Sequence, residues 1–183
     1  MCDKILKLNV GCGPDYREST DTVQWINVDI NETTKADIHH DLHIALPIED
    51  LSVDHVYAGH VIEHCGFHVV TYCIGDWIRT LKIGGTIDIR TPDLEALAKE
   101  YVDGTINHLA FVQQAYGGGY RSVRGSVHCL TIDWKWILSN FNAFGCGNIE
   151  RHEGGRWELC VTAVKEKHVV MPIPPRDLYE TIK

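Results

Sequence analysis

The sequence lacks the features that mark membrane and secreted proteins. No apolar run approaches the roughly 18 residues that a membrane-spanning helix requires. The first residues, Met1-Cys-Asp-Lys, lead directly into an apolar strand pattern rather than into a signal peptide. We therefore expect a soluble, cytoplasmic protein that makes no membrane contact.

Disulfide, zinc-knuckle and basic patterns are also missing. The seven cysteines are odd in number, and no two are spaced as C-x-x-C, so neither a complete disulfide framework nor a zinc knuckle is indicated. Lys and Arg form no run longer than a pair, and the formal net charge is −8. A phosphate backbone is a poor partner for such a surface, so nucleic acid is an unfavoured substrate.

What the chain does have is an alternation of strand and helix patterns. Apolar runs near residues 5–10, 25–30, 36–39, 53–58 and 85–90 predict strands, and residues 69–81 repeat apolar side chains on one helical face. This order predicts an α/β fold with a doubly wound, mostly parallel sheet and helices on both faces. The link from Gly13 to Trp25 is short for a crossover helix, so we expect one or two helical turns or an ordered loop there.

The second half of the chain predicts further helices and a C-terminal antiparallel hairpin. One helix follows Pro92, and another begins after Thr131 as its N-cap and stops near Gly145. Residues 148–164 surround a Gly-Gly turn and predict the hairpin. With 183 residues and 44% hydrophobic content, we expect one domain over residues 1–168, followed by an extended tail, 169–183.

A glycine turn and an acid mark the clearest candidate site. Gly11 and Gly13 follow an apolar strand and remove the Cβ atoms that would keep a ligand from the main chain. Asp29 ends the second strand, where a carboxylate can accept hydrogen bonds from both hydroxyls of a ribose. Tyr16 occupies the last glycine position of a dinucleotide fingerprint, and acids cluster where two phosphates would lie. A cationic nucleoside therefore matches better than NAD.

The order of these motifs resembles the small class I S-adenosylmethionine-dependent methyltransferases. Gly11-Cys12-Gly13 is similar to their first motif, residues 27–30 to the ribose-binding second and residues 37–42 to the third. Residues 46–64 resemble the fourth motif, and residues 81–93 the turn and fifth strand. The resemblance covers roughly residues 5–100. Two positions depart from it, since Asp15 replaces the third glycine and Asn9 stands where many members carry an acid.

The resemblance implies S-adenosylmethionine as cofactor and methyl transfer as activity. Asp29 would bind the ribose, Asp41 would face the adenine amino group, and His60 would line the pocket through its backbone. The implied cofactor-binding residues are Asn9, Gly11, Cys12, Gly13, Asp29, Ile30, Asp41, Leu42 and His60. The glycines could instead form a plain turn, and Asp41 could lie in an ordinary loop. The acidic composition favours a small-molecule or sugar-like acceptor.

Methyl transfer needs in-line placement of the acceptor and sometimes a base. His128 is the leading base candidate, with His64 and Tyr16 behind it. His128 closes the segment 103–130, which lacks clean periodicity and contains Gly117-Gly118-Gly119. A segment of this kind is typical of a lid or substrate-binding loop, although a solvated connection without a role remains the alternative.

A competing motif overlaps the fourth methyltransferase motif. His60, Glu63 and His64 satisfy H-x-x-E-H, the inverted zinc-protease signature. The motif directly follows a strand, and the methyltransferases carry a similar His-Val-Leu-Glu-His there, so we predict no bound metal. Two alternatives to an active methyltransferase stay open: an inactive cofactor-binding or regulatory module, favoured by Asn9 and Asp15, and, less favoured, a zinc hydrolase.

Overall fold

The computed structural model describes residues 4–117 and 127–170. These residues form seven strands, four α-helices and one short 3-10 helix, Ile62–His64. The strands are β1 (Ile5–Val10), β2 (Val23–Asp29), β3 (Ile38–His39), β4 (Val53–Gly59), β5 (Leu81–Pro92), β6 (Cys146–Glu153) and β7 (Glu158–Lys165). The α-helices are α1 (Val70–Thr80), α2 (Leu94–Val102), α3 (His108–Tyr116) and α4 (Trp134–Ala143).

All seven strands belong to one sheet in the order β3-β2-β1-β4-β5-β7-β6. The pairings from β3 to β5 are parallel, whereas β7 runs antiparallel to both β5 and β6. This confirms the predicted mostly parallel sheet with a C-terminal antiparallel hairpin. Strand order reverses between β1 and β4, and ligands of such sheets bind outside the carboxyl ends of the strands at that point.

One face of the sheet carries the hydrophobic core. Leu8, Val56 and Ile87 alternate with more polar neighbours along their strands and are fully buried. Helix α1 packs on this face against β4 and β5, and α4 packs beside it against α1 and β6. The apolar repeat predicted for residues 69–81 therefore forms the buried side of α1, with Trp77 at its centre.

A loop covers part of the opposite face. The link between β1 and β2 forms no helix in the structure, which agrees with the alternative of an ordered loop. The Arg17 guanidinium of this loop lies 3.6 Å from the ring centre of Tyr57 and 4.9 Å from that of Trp25. The fold class predicted helices on both faces; over Tyr57 and Trp25 the covering element is this loop instead.

The N-cap predicted for α4 is wrong by two residues. The cap is Asp133 rather than Thr131, and the Asp133 carboxylate accepts a hydrogen bond of 2.7 Å from the Trp136 N–H. Ile132 still forms an isolated parallel bridge with Asp93, so the chain is extended immediately before the helix. That long-range pairing delays the helix start and has no signal in the local sequence.

The segment 103–130 is more regular than its sequence predicts. It contains α3, which begins after Asn107, whose side chain accepts a hydrogen bond from the Ala110 N–H. The Tyr101 ring of α2 lies 4.8 Å from the Phe111 ring of α3, so the two helices pack through aromatic contact. Gly118 and Gly119 of the predicted lid lie outside the described residues, together with Tyr120, Arg121 and Arg124 of the same segment, and so does the tail from residue 171. None of the described helices has the length and apolar character of a membrane crossing.

Candidate functional site

The glycine turn after β1 needs both of its glycines, for different reasons. Gly11 and Gly13 have φ values of 64° and 49°, in the left-handed region that disfavours other residues. A Cβ on Gly11 would lie 2.2 Å from Cγ2 of Val61, so only glycine permits this approach to the chain after β4. A Cβ on Gly13 would meet no atom within 4 Å. Gly13 therefore leaves the main chain bare toward open space.

Asp29 is fixed against this turn. It is 9% exposed, and its Oδ2 accepts a hydrogen bond of 2.7 Å from the Gly13 N–H. Its Oδ1 accepts one of 2.8 Å from the Asn31 N–H. Each carboxylate oxygen keeps a second acceptor position, enough for two ribose hydroxyls. The side chain of Ile30, 62% exposed, adds an apolar surface beside the carboxylate.

Asn9 and Cys12 lie beneath the turn and support it. Asn9 is 1% exposed, and its amide donates to the Asp15 carbonyl and to Oδ1 of Asn27. Cys12 is buried, and its N–H donates to the Val28 carbonyl. Burial, together with the negative charge of Asp29, raises the pKa of Cys12 to about 11, so its thiol stays neutral. Both residues shape the site through the backbone they hold.

The third predicted motif follows β3 at the same edge of the sheet. His39 pairs with Asp29 across β3 and β2, and the His40 N–H donates to the Asp29 carbonyl at 2.9 Å. The Asp41 carboxylate accepts a hydrogen bond of 3.0 Å from the N–H of His43. Leu42 is buried in the core, with 9% of its surface exposed. Asp41 is thus a half-exposed acid close to the end of β2.

His60 has an unusual backbone and two acidic neighbours. Its φ is 52°, and its N–H donates to the Arg90 carbonyl, so the chain turns sharply after β4. Nδ1 lies 3.3 Å from Oε1 of Glu63, and Nε2 lies 2.9 Å from Oε1 of Glu158. The carboxylates of Glu63 and Glu158 raise the pKa of His60 to about 9. The sequence gives no signal for Glu158, which reaches the site from β7.

The structure brings the two predicted catalytic histidines together. The rings of His64 and His128 lie 5.0 Å apart, edge to face at 71°. The Cys129 N–H donates to the Glu63 carbonyl at 2.7 Å, which fixes the end of the 103–130 segment beside the 3-10 helix. Burial lowers the pKa of His128, which favours the neutral imidazole that a base requires. Tyr16 donates its hydroxyl to Asp37, which raises the Tyr16 pKa, so it is poorly suited as a base.

The H-x-x-E-H motif does not have zinc-protease geometry. Its two histidines would have to share one face of an α-helix. Instead, His60 has a left-handed backbone and the 3-10 helix begins only at Ile62. Both ring nitrogens of His60 also face carboxylates. His60 and His64 are therefore not paired as the signature requires.

Comparison with known proteins places this sheet among methyltransferases. No protein-family model and no curated protein sequence matches the chain. A SAM-dependent methyltransferase from Archaeoglobus fulgidus is 15% identical over 88% of this chain and 86% of its own, with a TM-score of 0.60. A putative methyltransferase, in complex with the Trm112 activator of Haloferax volcanii, is 14% identical over 90% and 84%, with a TM-score of 0.59. A possible histamine N-methyltransferase from Thermotoga maritima is 12% identical over 90% and 84%, with a TM-score of 0.60. The chain therefore has the fold of the class I S-adenosylmethionine-dependent methyltransferases.

Proposed function

We propose that this protein is an S-adenosylmethionine-dependent methyltransferase acting on a small, polar or sugar-like acceptor. The observation that carries the proposal is the pairing of Gly13 with Asp29. A bare main-chain turn opens toward solvent, and a nearly buried carboxylate with free acceptor positions is hydrogen-bonded directly to it. This pairing suits a nucleoside that lies against the turn with its ribose over the carboxylate.

The surrounding residues fit the cofactor in shape and charge. Asp29 would accept both ribose hydroxyls, the exposed side chain of Ile30 would contact the adenine ring, and Asp41 would accept from its amino group. Gly11 and Gly13 would admit the methionine portion, with Cys12 contributing main chain between them. When bound, S-adenosylmethionine supplies a methyl group activated by a positively charged sulfonium. The acids Asp15, Asp29 and Asp37 favour such a cation electrostatically.

The residues that would bind and deprotonate the acceptor lie near the carboxyl end of β4. Val61 touches Gly11, so the 3-10 helix that follows begins beside the cofactor turn. His128, whose pKa is lowered by burial, is our first candidate to take the acceptor proton, and His64 is the second. His60 would line the pocket through its backbone, since both of its ring nitrogens face carboxylates.

A polar acceptor is also consistent with the surface nearby. A depression of about 470 Å³ lies between the start of α2 and the β6–β7 turn. Its lining includes Asp93, Arg151, His152 and Glu158, and Glu158 is the partner of His60. Charged groups of both signs can hydrogen-bond a small polar molecule. The overall charge of −8 disfavours a nucleic acid.

An inactive cofactor-binding or regulatory module is the second candidate. It is favoured by Asn9, whose amide is used to hold the loop and which stands where many methyltransferases have an acid. Methyl release separates the two candidates. We expect S-adenosylhomocysteine, but not NAD, to raise the melting temperature, and we expect it to accumulate when S-adenosylmethionine is mixed with a panel of hydroxyl, amine and carboxylate acceptors. Stabilisation without release across the panel would favour the module, and stabilisation by NAD alone would refute both.

A further inference from the structure

Three side chains with metal-ligating atoms converge beside the glycine turn. One carboxylate oxygen of Glu63 and one ring nitrogen each of His64 and His128 all lie within 4.8 Å of one another. Glu63 and His64 belong to the 3-10 helix after β4, and His128 reaches them from the segment before α4. The H-x-x-E-H motif points to His60 as the third group, whereas the fold supplies His128.

Each histidine of the cluster has a main-chain carbonyl beside its Nδ1 atom. Nδ1 of His64 lies 3.0 Å from the Val127 carbonyl, and Nδ1 of His128 lies 3.0 Å from the Gln114 carbonyl. A carbonyl can only accept, so in the neutral ring that binds a metal each Nδ1 would carry the proton and each Nε2 would keep its lone pair. Such a carbonyl behind the ring is the usual support of a ligating histidine, because it fixes both tautomer and orientation.

Glu63 presents a buried oxygen that needs a partner. The residue is 1% exposed, and its Oε2 accepts a hydrogen bond of 3.1 Å from the Thr91 hydroxyl. Among the described residues, Oε1 has no hydrogen-bond partner. It lies 3.3 Å from Nδ1 of His60, close enough for attraction but not aligned as a hydrogen bond. The protonated His60 ring therefore offsets part of the charge of this buried oxygen without donating an aligned hydrogen bond to it, and a bound cation would complete its coordination.

We propose that Glu63, His64 and His128 bind a divalent transition-metal ion, such as Mn²⁺, Co²⁺ or Zn²⁺. Two imidazoles and one carboxylate suit these ions, and three protein ligands leave coordination positions open. Nitrogen ligands lie about 2.0–2.1 Å from such an ion, so binding would draw the three side chains together from their present spacing. This site departs from the expectation, drawn from the sequence, that the protein binds no metal. It uses His128 in place of His60 and differs from the helical zinc-protease geometry, which this chain does not form.

The position of the site suggests what its open coordination positions hold. Gly11 contacts Val61, two residues before Glu63, so the ion would lie next to the cofactor turn. There it would coordinate an acceptor hydroxyl and promote loss of its proton to water. The oxygen then bonds to the methyl carbon as the carbon–sulfur bond breaks, leaving S-adenosylhomocysteine. When the ion is bound, His64 and His128 would act on the acceptor through it, and this role would replace the role of base proposed for them above. This role rests on the proposed function; the metal site itself does not.

Metal binding can be measured without cofactor or acceptor. We would titrate Mn²⁺ into metal-free protein by calorimetry, because thiolates such as those of the cysteines are poor ligands for this ion. Co²⁺ absorption would then report coordination by imidazole. We expect one ion per chain, with affinity reduced at least tenfold in Glu63→Gln and in His128→Gln. His108→Gln, which changes an exposed histidine at the start of α3, should bind as the wild type does.

Glu63→Gln and His128→Gln provide independent tests of the metal site. Glu63 is buried, so Glu63→Gln is interpreted only if its thermal unfolding matches the wild type; the half-exposed His128 gives an independent reading. Equal binding by wild type, His128→Gln and His108→Gln, or no binding at millimolar Mn²⁺ and Co²⁺, would overturn the metal site. A separate titration with S-adenosylhomocysteine tests the proposed function, so the failure of one is distinguishable from the failure of the other.

Discussion

Asp29 is hydrogen-bonded to the glycine turn and is the residue that we propose to bind the ribose of the cofactor. Its oxygens already accept the N–H groups of Gly13 and Asn31, and their remaining acceptor positions are the ones a ribose would use. Replacement by alanine should therefore weaken S-adenosylhomocysteine binding by roughly 1.5–3 kcal/mol, about ten- to a hundredfold or slightly more. Asp41→Ala should cost less, because water can replace one adenine contact. Calorimetric titration compares them, and equal, negligible losses would show that the acids have other roles.

Asp37 makes a pH-dependent contact with the loop between β1 and β2, which covers part of the sheet face opposite the hydrophobic core. Its carboxylate accepts from the backbone and side-chain N–H groups of Asn27 and from the Tyr16 hydroxyl. Burial alone would raise the Asp37 pKa, but these hydrogen bonds outweigh it and lower the pKa below its usual value of 3.8. The stabilisation is therefore present above about pH 4 and is lost as the pH falls through the lowered pKa.

Asp37→Asn should remove this contribution. At neutral pH we expect the free energy of unfolding to fall by about 0.5–1.5 kcal/mol, a modest loss since the residue is exposed. Denaturant unfolding of wild type and variant between pH 2 and 7 measures the difference. It should shrink toward zero at the acidic end, and a difference that stays constant with pH would exclude the carboxylate as its source.

Lys165, the last residue of β7, is a buried cation whose side chain caps the carboxyl end of helix α1. Its Nζ donates to the carbonyls of Ile78, Arg79 and Leu81 at 2.9, 3.1 and 2.8 Å, and the residue is 1% exposed. These carbonyls lie at the carboxyl end of the helix, where a positive charge is favourable.

Lys165→Met should lower the free energy of unfolding by about 1–3 kcal/mol, because it removes three hydrogen bonds from a charged donor, although the Ile78 and Arg79 carbonyls keep backbone donors from Leu81 and Leu51. Lys82→Met is the matched control: Lys82 is exposed and, within the described part of the chain, pairs with Asp54 alone, so its loss should cost less than about 1 kcal/mol. Chemical denaturation measures both. Equal effects would mean that Lys165 contributes no more than a surface charge.

Residues 103–130 connect α2 to α4, and the sequence predicts that this segment is a lid. Its end is fixed to Glu63 through Cys129, and the His128 N–H donates to the Tyr116 carbonyl. If the segment closes over the cofactor, hydrogen exchange in residues 103–117 and 127–130 should slow when S-adenosylhomocysteine binds. Peptides from β6 serve as the control. Unchanged exchange across the segment, with protection of the glycine turn, would remove the lid role.

Elements with strong local patterns were predictable from the sequence, and those set by distant contacts were not. The parallel strands and α1 follow from apolar periodicity, and the hairpin follows from its Gly-Gly turn. Helix α3 was not predicted because its apolar residues show only weak helical periodicity. It is stabilised by packing against α2, and the local sequence of α3 does not reveal this contact. The start of α4 was misplaced because the bridge between Asp93 and Ile132 keeps the chain extended.

At the scale of the whole molecule, the strand order of the sheet places motifs that are distant in sequence close together. Gly13 and Asp29 are distant in sequence, and their proximity follows from the parallel pairing of β1 with β2, which the sequence pattern predicted. Glu158 and His128 reach the site from the hairpin and from the long connection, through contacts that no local pattern encodes. The proximity of the residues in the proposed cofactor turn could therefore be predicted from the sequence, whereas the arrangement of the histidine and glutamate cluster could not.

Calorimetric titration with S-adenosylhomocysteine tests the central claim most directly, using the wild type, Gly13→Ala and Gly84→Ala. Both glycines have a positive φ and open space at the Cβ position, so the two variants carry similar backbone strain. Only Gly13 belongs to the proposed cofactor turn. We predict micromolar binding by the wild type, similar binding by Gly84→Ala and at least tenfold weaker binding by Gly13→Ala. Absence of heat at millimolar ligand with folded wild-type protein, or equal affinity of the two variants, would contradict the account.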